Sequence, residues 1–215
     1  MGASVPGLPD PPAELDPKLT RLSAGARLYR VHPANYRASQ FNPNRELQRG
    51  GRFHPFTDVQ GLPVPTLYAA DAIDGALSET VFHHVAGGGG RLLRSRLRGL
   101  VLSALLTRDE LLLVDLSGHG LRRLGLSRAQ LLETDASDYL RTAQWAQALH
   151  RCNGAIQGLM WISRQFDRST AMVFFGDRID PAALQVELEA LPLDRGAGYR
   201  EVQRIATEAR IAIIS

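Results

Sequence analysis

Several features are scarce in this chain of 215 residues, and each scarcity excludes a class of protein. Cys152 is the only cysteine, so no internal disulfide can form, which fits a reducing compartment. No apolar run approaches the roughly 18 residues that a transmembrane helix needs. Residues 1–6 lack the basic and apolar segments of a secretion signal. We therefore expect a cytoplasmic protein without a membrane-spanning segment.

Familiar catalytic and cofactor motifs are also missing. No Gly-x-Gly-x-x-Gly follows a strand pattern, which disfavours a doubly wound dinucleotide-binding fold, and the lack of Gly-x-Ser-x-Gly disfavours an α/β-hydrolase. The six histidines are scattered and no paired-cysteine spacing occurs, so we expect no metal site. Cys152 lies close to His150, but a part-buried structural cysteine is the simpler interpretation.

Lysine is nearly absent as well. Lys18 is the only lysine among 25 basic residues, and the formal net charge is +3. A strong preference for arginine fits a GC-rich genome, and so small a charge excess does not by itself indicate nucleic-acid binding.

Short periodic segments predict the elements of the fold. Residues 1–22 contain several prolines and are predicted to form an extended leader, and residues 23–215 a single domain. Strands are predicted where apolar residues alternate or cluster, at residues 27–31, 67–70, 111–116, 158–163, 171–175 and 211–214. Because loops rather than regular helical crossovers join them, we predict an α+β fold, with a mixed sheet and flanking helices.

Helix starts are predicted at three aspartates. Asp71 is expected to cap a helix, Asp135 a helix that runs to about residue 151, and Asp180 with Pro181 a further helix. The first of these helices is expected to present one inner stripe, formed by Ile73, Ala76, Leu77, Thr80, Val81 and His84. The alternating Arg94, Arg96 and Arg98 are interpreted as one face of a strand, and residues 87–90 as a flexible break.

A candidate site stands out between residues 50 and 79. Arg52 follows two glycines, Tyr68 lies on a predicted strand, and Glu79 lies on the helix after it. The planar guanidinium of arginine suits a phosphate, because it donates two parallel hydrogen bonds. A tyrosine ring can pack on a flat group, and a lone carboxylate suits a sugar hydroxyl or a developing positive charge. These residue types together favour a nucleotide site, although Glu79 taken alone could simply face water.

The same segments resemble the RES domain family, which is named after an arginine, a glutamate and a serine. The resemblance spans about residues 25–180 and rests on the order of Leu28-Tyr29-Arg30-Val31, Gly50-Gly51-Arg52-Phe53, Leu67-Tyr68-Ala69, Ala76-Leu77-Ser78-Glu79 and Trp161-Ile162-Ser163-Arg164. The family more often has Gly-Gly-Arg-Trp-Asn, where this chain has Phe53 and His54 in the last two places.

The resemblance implies a fold, a substrate and a partner. RES domains resemble ADP-ribosyltransferases, bind NAD as substrate and need no metal. They are typically toxins paired with a helix-turn-helix (Xre-type) antitoxin, through which nucleic acid would be contacted. The implied NAD-binding residues are Arg30, Arg52, Tyr68, Glu79 and Ser163, of which Arg30, Arg52 and Glu79 are the implied catalytic residues. Tyr29 and His54 are further candidates.

The resemblance implies roles for these residues. Arg30 and Arg52 would grip the pyrophosphate or an attacking phosphate, and Glu79 would supply a negative field near the anomeric carbon. Tyr68 would pack on the nicotinamide or ribose, and Ser163 would hydrogen-bond to the same end.

Three functions remain open from the sequence. The first is a toxin that depletes NAD by phosphorolysis or hydrolysis. The second is a mono-ADP-ribosyltransferase that modifies a host protein, and both would use one pocket. The third is a basic nucleic-acid-binding module, which would use the arginines of residues 91–98 and 122–128.

Overall fold

The structure is a computed structural model that describes residues 7–46, 50–83, 85, 89–164, 166 and 168–215. Parts of the predicted leader, loops and glycine-rich break, and His84 of the predicted inner stripe, lie outside these ranges. None of the described helices is both long and apolar enough to cross a membrane.

Within these residues the main feature is one mixed sheet of eight strands. In chain order the strands are β1 (Leu19–Leu22), β2 (Arg27–Pro33), β3 (Thr66–Ala70), β5 (Leu100–Thr107), β6 (Leu111–Asp115), β7 (Gly158–Ile162), β8 (Thr170–Phe175) and β9 (Leu184–Pro192). Their spatial order is β1-β6-β7-β8-β3-β2-β5-β9, and only the β6–β7 pair among them is parallel. A separate parallel pair joins β4 (Arg91–Leu93) to β10 (Ala212–Ile214).

Helices flank this sheet. They are α1 (Ile73–Thr80), α2 (Gly118–Arg123), α3 (Arg128–Leu131), α4 (Tyr139–Cys152) and α5 (Gly196–Glu208). The sheet with its flanking helices confirms the predicted α+β class.

The sheet separates two apolar layers. On one face Trp161 of β7 and Val173 of β8 pack with Trp145 of α4, and on the other face Leu28 of β2 packs with Leu67 and Phe174. A third cluster joins α1 to α5. The buried residues of α4 recur every three or four positions, as in a helix with one face in the core.

The first residues of the described chain lie against this body. Leu8 is buried in the first core layer, and the indole Nε1 of Trp145 donates to the carbonyl of Pro9 at 2.7 Å. Strand β1 pairs with β6, where the lone lysine, Lys18, forms an ion pair with Asp115 at 2.7 Å.

Two predicted caps are wrong. Helix α1 begins at Ile73 without a side-chain cap, because the Asp71 carboxylate instead accepts hydrogen bonds from Ser169 Oγ and from the Thr170 amide, at 2.6 and 2.9 Å. Asp135 precedes a short 3-10 turn and caps nothing with its side chain.

Two predicted elements also differ. Residues Arg94–Leu97 form a 3-10 turn rather than a strand, and strand β5 begins only at Leu100. Asp180 does cap Pro181, with its side chain accepting from the Ala182 amide at 2.8 Å, but the helix stops after one 3-10 turn and strand β9 follows.

Candidate functional site

A cavity of about 370 Å³ opens where two neighbouring strands diverge. In the described chain, β2 and β3 pair through one residue pair, Tyr29 with Ala70, whereas β2 pairs with β5 along its whole length. The residues that line the cavity belong to the loop at residues 50–54, to strands β2, β3 and β7, to helix α1 and to the first residue of α4.

Glu79 is the carboxylate that lines this cavity, and its side chain is half-buried. Its Oε1 accepts a hydrogen bond from Ser163 Oγ at 2.6 Å and another from the Arg164 amide at 2.8 Å. The interpretation that Glu79 merely faces water is therefore wrong. The carboxylate is held in one orientation by the end of β7.

Ser163 is fully buried and is not among the residues that line the cavity. Its hydroxyl donates to Glu79 and accepts from the Phe166 amide at 3.0 Å, and its own amide donates to the Ser169 carbonyl at 2.8 Å. Ser163 therefore lies behind Glu79, as a support for the carboxylate.

Gly75 explains how α1 comes close enough for this contact. A Cβ at this position would lie 2.0 Å from Ser169 Oγ and 3.2 Å from the Cβ of Ala70. The helix can pack on the ends of β3 and β8 only because glycine has no side chain. The close approach that Gly75 permits places Glu79 over the cavity.

Arg52 lines the same cavity and lies next to the start of α4. Its carbonyl accepts a hydrogen bond from Thr142 Oγ1, and its guanidinium carbon lies 5.9 Å from the ring centroid of Tyr139. The side chain is 5% exposed, and neither Nε nor Nη2 has a hydrogen-bond partner among the described residues. Buried donors without partners are costly, so these nitrogens are suited to an acceptor that arrives with a ligand.

Tyr68 and His54 form a polar pair on the cavity wall. The Tyr68 hydroxyl accepts from the Phe53 amide at 3.1 Å and lies 2.9 Å from His54 Nδ1. Burial raises the pKa of Tyr68 and lowers the pKa of His54 to about 4, so both side chains are neutral near pH 7. His54 thus has a defined polar contact where the family more often has asparagine.

The two glycines before Arg52 are required by this loop. A Cβ on Gly50 would lie 2.0 Å from the carbonyl oxygen of His54, and one on Gly51 would lie 2.8 Å from the His54 ring. The next aromatic residue, Phe53, is fully buried against the indole ring of Trp161, with centroids 5.2 Å apart. The loop is therefore anchored in the core while Arg52 and His54 face the cavity.

Arg30 lines the cavity but also has a structural task. Its Nη1 donates to the carbonyls of Ala38 and Gln40, both at 2.7 Å, and so fixes the loop that follows β2. Burial lowers the pKa of Arg30 to about 10, which leaves the side chain charged at neutral pH.

Aromatic residues that sequence reasoning did not assign to the site complete the wall. Tyr139 and Trp161 line the cavity, and the Tyr139 hydroxyl lies 3.5 Å from Nε2 of His83, which lines it as well. The further candidate Tyr29 also contributes. From the sequence, Tyr139 is only part of the helix predicted after Asp135, and Trp161 is only part of the serine motif, because both have the spacing of core residues.

The cysteine and histidine near the end of α4 do not form a nucleophilic pair. His150 Nε2 bonds to Asp177 Oδ2 at 2.8 Å, and the Cys152 thiol donates to the Leu149 carbonyl at 3.2 Å. Cys152 is exposed, not part-buried as the sequence suggested, but partial desolvation still raises the pKa of its thiol, which disfavours a reactive thiolate. In the part of the chain that the structure describes, no group of three or more histidine, cysteine or acidic side chains could hold a metal ion.

Several arginines of the nucleic-acid hypothesis contact other parts of the same chain. Arg94 lies over the Tyr199 ring at 4.6 Å and donates to the Asp194 carbonyl, and Arg123 forms an ion pair with Asp16. These contacts make Arg94 and Arg123 poor candidates for a free phosphate-binding stripe.

Comparison with known proteins gives one family and one fold. A family model described as RES domain matches residues 27–210. Among solved structures, the chain is similar to one from the crystal structure of the M. tuberculosis MbcT–MbcA toxin–antitoxin complex. The identity is 18%, the TM-score is 0.58, and the match covers 86% of this chain and 92% of that one. A comparison with curated proteins gave no match.

Proposed function

Because the chain belongs to the RES domain family, we propose that it is the toxin of a toxin–antitoxin pair and that its cavity cleaves the nicotinamide–ribose bond of NAD. The observation that carries this proposal is a single cavity lined by Arg30, Arg52 and Glu79 with aromatic walls. The similarity to a chain of a toxin–antitoxin complex supports the biological part of the proposal.

The cavity has the volume of a small-molecule site and charges that suit this substrate. Its volume of about 370 Å³ lies within the range of small-molecule sites. The two arginines suit the pyrophosphate, and the unpartnered Nε and Nη2 of Arg52 can donate hydrogen bonds to its oxygens. Glu79 suits the other end of the molecule, where the nicotinamide ring carries a positive charge.

The chemistry follows from that placement. When the bond between the ribose carbon and the nicotinamide nitrogen breaks, the electron pair goes to nitrogen and neutral nicotinamide leaves. The ribose then becomes oxocarbenium-like, as in glycoside cleavage, and the fixed Glu79 carboxylate stabilises its positive charge. No general acid is needed for the leaving group. An acceptor oxygen then bonds to the ribose carbon, and a water acceptor loses a proton in that step.

The support from Ser163 is part of this mechanism. Its hydrogen bond to Oε1 and the one from the Arg164 amide fix the carboxylate before the substrate arrives. We therefore assign Ser163 the role of orienting Glu79, instead of the contact with nicotinamide or ribose that the sequence led us to expect. Pre-organised charge of this kind needs no rearrangement during the reaction.

The acceptor is tested by product analysis. Purified protein is incubated with NAD, with and without inorganic phosphate, and the products are quantified by mass spectrometry. Phosphorolysis predicts ADP-ribose phosphate only when phosphate is present, and hydrolysis predicts ADP-ribose in both samples. Label from NAD that is retained on a protein of an added lysate would identify an ADP-ribosyltransferase. No loss of NAD under any of these conditions would refute the proposed activity, and Glu79→Gln serves as the inactive control.

The toxin role is tested by expression in cells. We expect growth to stop and the NAD pool to fall when the wild-type chain is induced, and both effects to disappear with Glu79→Gln. The proposed partner is a protein antitoxin of the Xre type encoded next to the toxin, and its co-expression should restore growth. Unimpaired growth of cells that accumulate the folded wild-type protein would contradict the toxin role.

A further inference from the structure

One buried donor in the cavity has no task in the mechanism above. Trp161 lines the cavity and is 3% exposed, yet its indole Nε1 has no hydrogen-bond partner among the described residues. An indole N–H is a donor only, and burying it without an acceptor is unfavourable. The other tryptophan, Trp145, follows the usual rule, because its Nε1 donates to the Pro9 carbonyl.

The surroundings of Trp161 fix the orientation of its ring. Phe53 and Tyr68 meet the indole edge to face, with ring centroids at 5.2 and 6.3 Å. The residue opposite on β8 is the small Ala171, which also lines the cavity. A rigidly held N–H can discriminate between ligands, because it does not have to be ordered on binding.

The register of β7 relates this donor to Glu79. Trp161 and Ser163, which directly follows β7, are two residues apart, at most about 7 Å along the chain. Ser163 bonds directly to Glu79, the carboxylate assigned to the bond that breaks. Trp161 therefore lies close to the residue that orients Glu79, and its ring also packs on Phe53 next to Arg52.

Resting on the proposed function, we propose that Trp161 is a specificity residue whose indole N–H donates to the carboxamide oxygen of nicotinamide. The carboxamide oxygen is the hydrogen-bond acceptor that nicotinamide presents outside its ring. A donor at that oxygen recognises a nicotinamide-type ring and also withdraws electron density from it, which favours its departure as a leaving group.

The test combines a variant with substrate analogues. Trp161→Phe keeps an aromatic ring and removes the N–H, and a pyridine adenine dinucleotide removes the carboxamide. For the wild type we expect kcat/KM for the analogue to be about 10- to 100-fold lower than the value expected from the leaving-group ability of pyridine alone. Trp161→Phe should lose a similar factor with NAD, and its preference for NAD over the analogue should largely disappear. An unchanged preference would overturn the proposal.

A matched control separates recognition from packing. Trp145→Phe removes the buried N–H that bonds to Pro9, outside the cavity, and should lower the melting temperature without changing the preference between the two dinucleotides. ADP-ribose lacks nicotinamide, so its dissociation constant should be the same for wild type and Trp161→Phe. A parallel loss of ADP-ribose affinity would show a packing effect and overturn the proposal.

Spectroscopy tests the same contact without relying on the fold of Trp161→Phe. The chain has two tryptophans, so its ¹⁵N spectrum contains two indole signals. In the Glu79→Gln background, which prevents turnover, NAD should shift the Trp161 signal downfield and slow its exchange with solvent, whereas ADP-ribose should not. Binding of NAD without this change overturns only the role of Trp161. Absence of NAD binding and of NAD cleavage by the wild type overturns the proposed function as well.

Discussion

Replacement of Arg52 by methionine should raise the stability of the protein while it abolishes activity. Arg52 is 5% exposed, and two nitrogens of its guanidinium have no hydrogen-bond partner among the described residues. Methionine can occupy much of the space of the arginine stem without bringing a buried charge. If Arg52 is retained for a ligand, the free protein should be more stable without it.

The magnitude follows from the unpartnered donors. Each buried donor without a partner costs about 1–3 kcal/mol, so removing two should stabilise the fold by about 2–6 kcal/mol. The lost contact of the guanidinium with the Tyr139 ring offsets about 1–2 kcal/mol of this gain. We expect a net increase of about 0–5 kcal/mol in the free energy of unfolding, and a melting temperature higher by about 2–4 °C for each kcal/mol gained.

Urea unfolding and NAD consumption measure the two effects. Arg30→Met is the matched comparison, because Arg30 donates to the carbonyls of Ala38 and Gln40, and its loss should destabilise the fold by about 2–4 kcal/mol. The reasoning is refuted if Arg52→Met is less stable than the wild type by more than about 1 kcal/mol, or if it still cleaves NAD.

Three further substitutions have distinct expected effects. In steady-state kinetics, Ser163→Ala should lower kcat for NAD about 10- to 100-fold with a smaller change in KM, because Glu79 loses its 2.6 Å hydrogen bond. Equal kcat values for the variant and the wild type would contradict this role. Burial lowers the pKa of His54 from 6.5 to about 4, so its contribution to stability is complete above pH 6.5 and is lost as the pH falls through 4. The free energy of unfolding of the wild type should therefore fall by about 2 kcal/mol between pH 7 and pH 5, whereas that of His54→Asn should lack this loss. Parallel pH profiles of the two proteins would contradict the prediction. His150→Ala, which removes the bond to Asp177 outside the cavity, should destabilise the fold by about 2–4 kcal/mol, with kcat per folded molecule unchanged.

The parts of the fold that could be predicted are those with a clear period. Strand β2 and helix α4 have regular buried positions in the structure, and their sequences show the matching alternation and three- to four-residue spacing. The alternation of Arg94, Arg96 and Arg98 was too short to separate a strand from a turn. Asp180 and Pro181 do begin a helical turn, but the same capping residues serve a single 3-10 turn as well as a longer helix.

The candidate site was predictable where its residues carry chemistry in an unusual local setting. Arg52 after two glycines and Glu79 on a helix containing glycine were such cases, and both line the cavity. Tyr139 and Trp161 could not be recognised as site residues from the sequence, because they have the spacing of core residues. They line a cavity only because β2 and β3 diverge, which the sequence does not show. The position of Ser163 behind the Glu79 carboxylate could not be predicted, because sequence order does not indicate which of two bonded side chains faces the cavity.

Release of nicotinamide in a single turnover tests the central claim most directly. The wild type and Glu79→Gln are each mixed with NAD in a rapid-quench instrument, at protein concentrations that saturate binding, and free nicotinamide is measured over time. We expect release from the variant to be at least about 100-fold slower, with the dissociation constant of NAD changed by less than about tenfold. Equal release rates, or no release from the wild type at full saturation, would contradict cleavage driven by the Glu79 carboxylate.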